Sequence, residues 1–206
     1  GLQDDFGGWE SRDTAQAFAD YAALMAQRLT DRVKHIFTIN EFMCFTDIGY
    51  SLGKFAPGKT LPPAQRNQIR HHGVLAHGLA LQALRAHSRP GTKLGLAENA
   101  TVCVPVIETP EHMAAARAAM REVNAPWLTA VLEGAYHPAY LQAEGANAPV
   151  FTAEDMAAIG GKIDFLGMNM YAPHYIRAAP ETPSGWAAVP PPSSYPKMNM
   201  DWLLMG

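Results

Sequence analysis

The sequence predicts an α/β protein, a partial (β/α)8 TIM barrel of parallel strands joined by helices. Short β-branched and aromatic runs alternate with longer stretches whose apolar residues recur at three- and four-residue steps, the order expected of successive βα units. The candidate strands end on polar side chains, Asn40 and Glu41, Glu98 and Asn99, Asn169 and Tyr171. Parallel strands of a barrel carry their chemistry at such carboxyl ends. A complete barrel takes about 250 residues or more, whereas this chain has 206. Residues 1–206 are therefore expected to form a single incomplete barrel domain taken from the middle of the cylinder.

The first helix is expected from Ser11, an N-cap residue type, with Asp13 in the first turn. Ala15, Phe18, Ala19, Ala22, Met25, Ala26 and Leu29 then mark one apolar face, and Thr30-Asp31 ends it. Val33 to Ile39 follows as a β-branched and aromatic run. It is expected to be a buried strand that delivers Asn40 and Glu41 at its end. A carboxylate against apolar walls has its pKa raised and becomes suited to proton transfer; facing solvent or an Arg it does neither, and the run alone leaves both open. Cys44 to Lys59, with Gly49, Gly53, Pro57 and Gly58, is a long connection. Pro62 or Pro63 opens a second helix running to about His87, with Ile69, Val74, Leu75, Leu79, Leu81 and Leu84 as core.

Pro90-Gly91 breaks that helix, and Thr92 to Asn99 is the second strand. Glu98 or Asn99 at its end lines a cleft, or Glu98 pairs with a helix cation or works with Glu41 as a carboxylate pair. After a loop from Pro105 to Pro110, helices are expected over about 111–124 and 127–141, where Trp127 and Tyr136 fit helix packing. A turn at Gly145 to Pro149 and a short helix from Glu154 to Ile159 come next. Ile163 to Tyr171 is the third strand, and strand alternation would put Asn169 and Tyr171 on one face. The proline-rich tail from Ala179 to Pro196 reads as a rigid, extended loop, with Trp186 either stacking on the flat face of a ligand or anchoring the loop.

Composition narrows the classes. With 48% hydrophobic residues and 17% charged the chain can bury a core. A net charge of -3 without a basic run argues against nucleic acid and anionic membranes, and no stretch approaches the ~18 apolar residues of a membrane span. Two cysteines, Cys44 and Cys103, suggest free buried thiols. His71, His72 and His77 lack the i, i+4 spacing of two metal ligands on one helix face. No nucleophile-elbow, P-loop or dinucleotide fingerprint occurs. No signal peptide is visible and a cytoplasmic location is expected, although the start at Gly1, without an initiator Met, resembles a cut inside a longer chain.

Against that background the motifs become specific. Gly7-Gly8-Trp9, Arg12-Asp13-Thr14, Phe18, Tyr21-Ala22, Asp31-Arg32-Val33-Lys34 and Thr38-Ile39-Asn40-Glu41 resemble family 1 glycoside hydrolases, the β-glucosidases. So do Gly49-Tyr50, Phe55-Ala56-Pro57-Gly58, His77 in its Ala-His-Gly helix, and Asp164 to Tyr171, all in the family's order. The resemblance implies roughly the fourth to sixth βα units of the barrel. It implies a retaining hydrolase of terminal β-D-glucosides, acting on a β-glucoside or oligosaccharide substrate without metal or organic cofactor.

It also implies roles residue by residue. Glu41 would be the general acid/base and Asn40 would bond the sugar 2-hydroxyl. Tyr171 would reach and tune the second catalytic carboxylate, with Asn169 nearby. Phe42 stands where most of the family has Pro. The family's nucleophile lies in a Thr-Glu-Asn-Gly motif, and Met200 to Gly206 stops before one, so the nucleophile is expected to be absent and this chain alone inactive. The alternatives are a non-catalytic sugar-binding fragment that self-associates through open strand edges, and a 6-phospho-β-glycosidase, whose phosphate-recognising residues would lie past Gly206.

Overall fold

The computed structural model describes residues 1–199 and 204. Two compact units divide the chain, residues 1–99 with 125–168, and residues 100–124 with 169–206.

In the first unit a short helix, α1 (Leu2–Phe6), and a 3-10 turn at Gly8–Glu10 precede α2 (Asp13–Leu29). Ser11 sits at the start of α2, its Oγ accepting the Asp13 N–H at 3.2 Å. Then come β1 (His35–Asn40), α3 (Phe42–Phe45), α4 (Asp47–Tyr50), α5 (Pro63–His87) and β2 (Lys93–Glu98). The second unit supplies β3 (Cys103–Pro105) and α6 (Pro110–Val123). The first resumes with a π-helical turn, Ala125–Thr129, then α7 (Ala130–Glu133), α8 (Pro138–Glu144), α9 (Ala153–Ile159) and β4 (Phe165–Met168). The chain closes in the second unit with β5 (His174–Ala178) and β6 (Trp186–Val189).

The first unit holds a parallel sheet of order β1-β2-β4. Helix α5 packs on β1 and β2 between α2 and α9. Proline at its first position needs no hydrogen-bond partner for the missing N–H, so the helix begins there. Leu81, Leu84 and Leu94 meet the alanine stripe Ala22 and Ala26 of α2, while Val74, Leu75, Leu96, Trp127 and Ile159 form the larger core with Ile39 and Phe42. Close approach explains Gly78: a Cβ there would meet the Ala158 backbone of α9 at 2.5 Å.

Asp155 ties the layers. It completes a capping box with Thr152 at the start of α9, receives the Arg12 guanidinium through both oxygens, and lies 3.3 Å from Nε2 of buried His71. Arg12 and its hydrogen bonds hold the Asp155 carboxyl well below the usual range. In the second unit β3 pairs parallel with β5 and β5 antiparallel with β6. Cys103, Ala116, Ala119 and Ile176 form the core under α6.

Several expectations change. The strand β1 is not buried: it is an edge of the described sheet and Phe37 is 50% exposed. The helix expected over 127–141 is broken, because Gly134 adopts a left-handed conformation (φ 64°) that closes α7 and Pro138 starts α8 afresh. The third strand stops at Met168, so alternation does not extend to Asn169 and Tyr171. The proline-rich tail contains β6, flanked by its prolines and paired with β5.

Burial governs the acid limb of stability. Desolvation lowers both His71 and His77 to about 4, so these rings stay neutral in the fold while the unfolded chain takes up protons near 6.5. Folded values below the unfolded ones mean stability is lost as pH falls from about 6.5 to 4, at about 1.4 kcal/mol per pH unit for each proton. Urea unfolding across this window is expected to show the wild type losing up to about 3 kcal/mol relative to His77→Gln. Parallel pH profiles would refute neutral burial of His77.

Candidate active site at the strand ends

The end of β1 is built on an irregularity. Phe37 pairs with Gly95, but Asn40 pairs with Ala97, so one extra residue of β1 bulges and turns the strand end. Thr38 lies in the bulge. Its hydroxyl bonds the Gly95 carbonyl at 3.3 Å and Nδ1 of His77 at 2.6 Å, which gives the buried His77 a task in holding the strand.

Glu41 then adopts φ 55° and ψ 77°, the only positive φ outside glycine among the described residues. Such a conformation costs on the order of 1–3 kcal/mol and persists only where surroundings impose it. The Glu41 N–H donates to the Ala97 carbonyl at 2.9 Å. Phe42, fully buried, opens α3 and donates its N–H to Oε2 of Glu98 at 2.9 Å. The thiol of Cys44 donates to Oε2 of Glu41 at 3.1 Å. Burial, then that bond, pushes the thiol up to about 12, so it is a hydrogen-bond donor and not a nucleophile.

Glu98 is 2% exposed. Burial pushes its carboxyl up to about 7; the Phe42 N–H acts in the opposite direction, and the like charge of Glu41 adds to the rise. Among the described residues it pairs with no helix cation, and its partners are the backbone N–H groups of Phe42, in the peptide that follows Glu41, and of Asn99. The sequence left Glu98 lining a cleft, pairing with a helix cation or serving as a second carboxylate beside Glu41, and none of these readings named a backbone partner. The available signal was a carboxylate closing an otherwise apolar strand, beside a buried chain segment with an N–H to place.

The other expected site residues are placed as follows. Asn40 is exposed at the strand end. In the second unit Asn169 is half-buried and Tyr171 is 55% exposed. Trp186 lies in β6, half-buried, and its indole N–H donates to Glu122 Oε2 of α6 at 2.8 Å, which is an anchoring contact. Met200 to Leu203, Met205 and Gly206, on which the missing-nucleophile expectation falls, lie outside the described residues. No group of three or more metal-ligating side chains occurs among the described residues, and no helix among them is long and apolar enough to cross a membrane.

Parallel βα units with acidic side chains at adjacent strand ends define a partial α/β barrel with a carboxylate site. The chain belongs to Glycosyl hydrolase family 1, whose sequence profile matches residues 1–205. It is 34% identical to a β-glucosidase of Agrobacterium sp. over 95% of this chain and 43% of that one. It is 31% identical to β-glucosidase 1B of Phanerodontia chrysosporium over 87% and 36%. Among solved structures it resembles virulence factor SghA from Agrobacterium tumefaciens at a TM-score of 0.80, with 32% identity over 98% of this chain and 44% of that one. A complex of SghA with its substrate analogue salicin superposes equally well, TM-score 0.80. The family 1 β-glucosidase of Thermotoga maritima gives 0.77, with 28% identity over 97% and 44%. The chain therefore spans less than half the length of these relatives.

Glu98 is expected to titrate near 7 by carbon-13 NMR, and Glu41→Gln to lower that midpoint by removing a like charge. A folded value raised above the unfolded one stabilises the fold below about 4.5 and loses that contribution as pH rises through 7. Glu98→Gln should accordingly gain on the wild type over this interval. A midpoint near 4.5 would refute the burial argument.

Proposed function

We propose that this chain is the part of a β-glucosidase-type retaining glycoside hydrolase that carries the general acid/base, Glu41. The observation that supports this most is the strained left-handed turn at Glu41, set at the end of a bulged parallel strand in a member of this family. Glu41 protonates the departing glycosidic oxygen and later takes a proton from water. Asn40 bonds the sugar 2-hydroxyl, a contact that strengthens as positive charge develops at the anomeric carbon. Tyr171, with Asn169 beside it, tunes the nucleophile, and Trp186 is a further candidate for sugar contact.

The whole protein hydrolyses terminal β-D-glucosyl residues through a glycosyl-enzyme intermediate. Its nucleophile comes from sequence beyond these 206 residues, which contain no Thr-Glu-Asn-Gly motif. Residues 1–206 act as one incomplete barrel domain, and the two free thiols support a reducing, cytoplasmic setting. The chain alone is expected to release little or no aglycone from an aryl β-glucoside. Mixing with segments that complete the family barrel should restore turnover, and Glu41→Gln should then lower kcat by about 10²–10⁴-fold. Restored turnover indifferent to Glu41→Gln would overturn the assignment.

One observation favours a second reading, self-association through β1. Beside this edge strand lies an apolar cavity of about 450 Å³ lined by Phe18, Met25, Val33, Ile36, Phe37 and Leu84. Sedimentation should show a concentration-dependent dimer that Phe37→Lys returns to monomer; a monomer at all concentrations removes this reading.

A further inference from the structure

We propose that Glu98 is a positioning residue for Glu41: its buried carboxyl receives the N–H of the peptide between Glu41 and Phe42 and locks Glu41 in its left-handed conformation. The inference rests on the reading of Glu41 as the acid/base and adds a residue to that site.

The geometry is a two-point clamp. The conformation of one residue is set by the orientations of the two peptide planes that flank it. The plane before Glu41 is pinned by its own N–H on the Ala97 carbonyl, and the plane after it by the Phe42 N–H on Glu98 Oε2, both at 2.9 Å. The acceptors come from consecutive residues at the end of β2, a fully paired central strand between β1 and β4. Glu41 is thus referenced to the central strand of the sheet and not to its own edge strand.

Without the second acceptor, a fully buried N–H would be left unpaired, and the plane after Glu41 would keep only the Cys44 N–H on the Glu41 carbonyl, at 3.0 Å, against the strain at φ 55°. Burying a carboxyl to supply one acceptor is costly. The structure tolerates that cost at this one turn, where the groups facing Glu98 are the Phe42 and Asn99 N–H groups, the carboxyl of Glu41 and the Cys44 thiol, which stays protonated. Glu98 acts through the backbone of Glu41 and is not itself assigned a contact with substrate.

The test uses the isotope-labelled 206-residue chain. In the wild type the Phe42 amide resonance should move with pH at the same midpoint as the Glu98 carboxyl. In Glu98→Gln that movement should vanish, while amide exchange at Phe42 stays within about threefold of wild type, because the amide oxygen still accepts. In Glu98→Leu exchange should accelerate by about tenfold or more, and scalar couplings should report that Glu41 leaves the left-handed region. A Phe42 amide that ignores the Glu98 titration in wild type overturns the proposal even if the Leu variant does not fold. So does a Glu98→Leu chain that keeps slow Phe42 exchange or the left-handed Glu41. None of these readouts requires turnover, so they can fail while the acid/base role of Glu41 stands, and the reverse.

Discussion

Everything at the candidate site depends on one backbone constraint, the positive φ of Glu41 where β1 turns into α3. A residue with a side chain does not stay there unaided, since the conformation costs on the order of 1–3 kcal/mol. The surrounding interactions all bear on that point. The bulge in β1 delivers the extra residue, His77 and Thr38 brace the bulge, and the burial of Phe42 pulls the following turn into the core. Remove the turn and Glu41 becomes an ordinary strand-terminal carboxylate.

The constraint reaches outward through α5. Its buried face carries His77 to the bulge and His71 to Asp155, so one helix links the strand end to the cap of α9 and, through Arg12, to the start of α2. The Arg12-Asp13-Thr14 motif, which carried part of the family resemblance, therefore has a structural task. Arg12 neutralises a buried carboxylate, and Thr14 donates its hydroxyl to the Gly8 carbonyl. Placing charge in the interior is tolerable here because Asp155 is met by a guanidinium, the Thr152 backbone N–H and an imidazole.

How much of this was legible follows from the range of the interactions. The helix α5 was legible from end to end, because Pro63 and the apolar period are local signals. The parallel strand order was legible too, since βα alternation is written along the chain. The break at Gly134 was missed because the apolar period runs across it, and only the left-handed backbone reveals the cap. The strands β3, β5 and β6 were missed for a different reason: each is short and exists by pairing with another of the three, a contact between residues far apart in sequence. Glu41 was legible as a candidate from its motif. Its strain was not, because no residue type announces a positive φ except glycine.

Glu98 shows where sequence reading stops and why. A carboxylate at a strand end has several readings of similar weight until its partner is known, and that partner is a backbone N–H 56 residues away. The partner exists because residue 42 is phenylalanine: a proline there, as the family resemblance leads one to expect, has no N–H to donate. A chain with an N–H at that buried position must supply an acceptor, and β2 supplies one from a side chain that most strands would keep apolar. A residue with an N–H directly after Glu41 thus creates a demand on the neighbouring strand, and a buried acid at residue 98 is the form in which that demand is met.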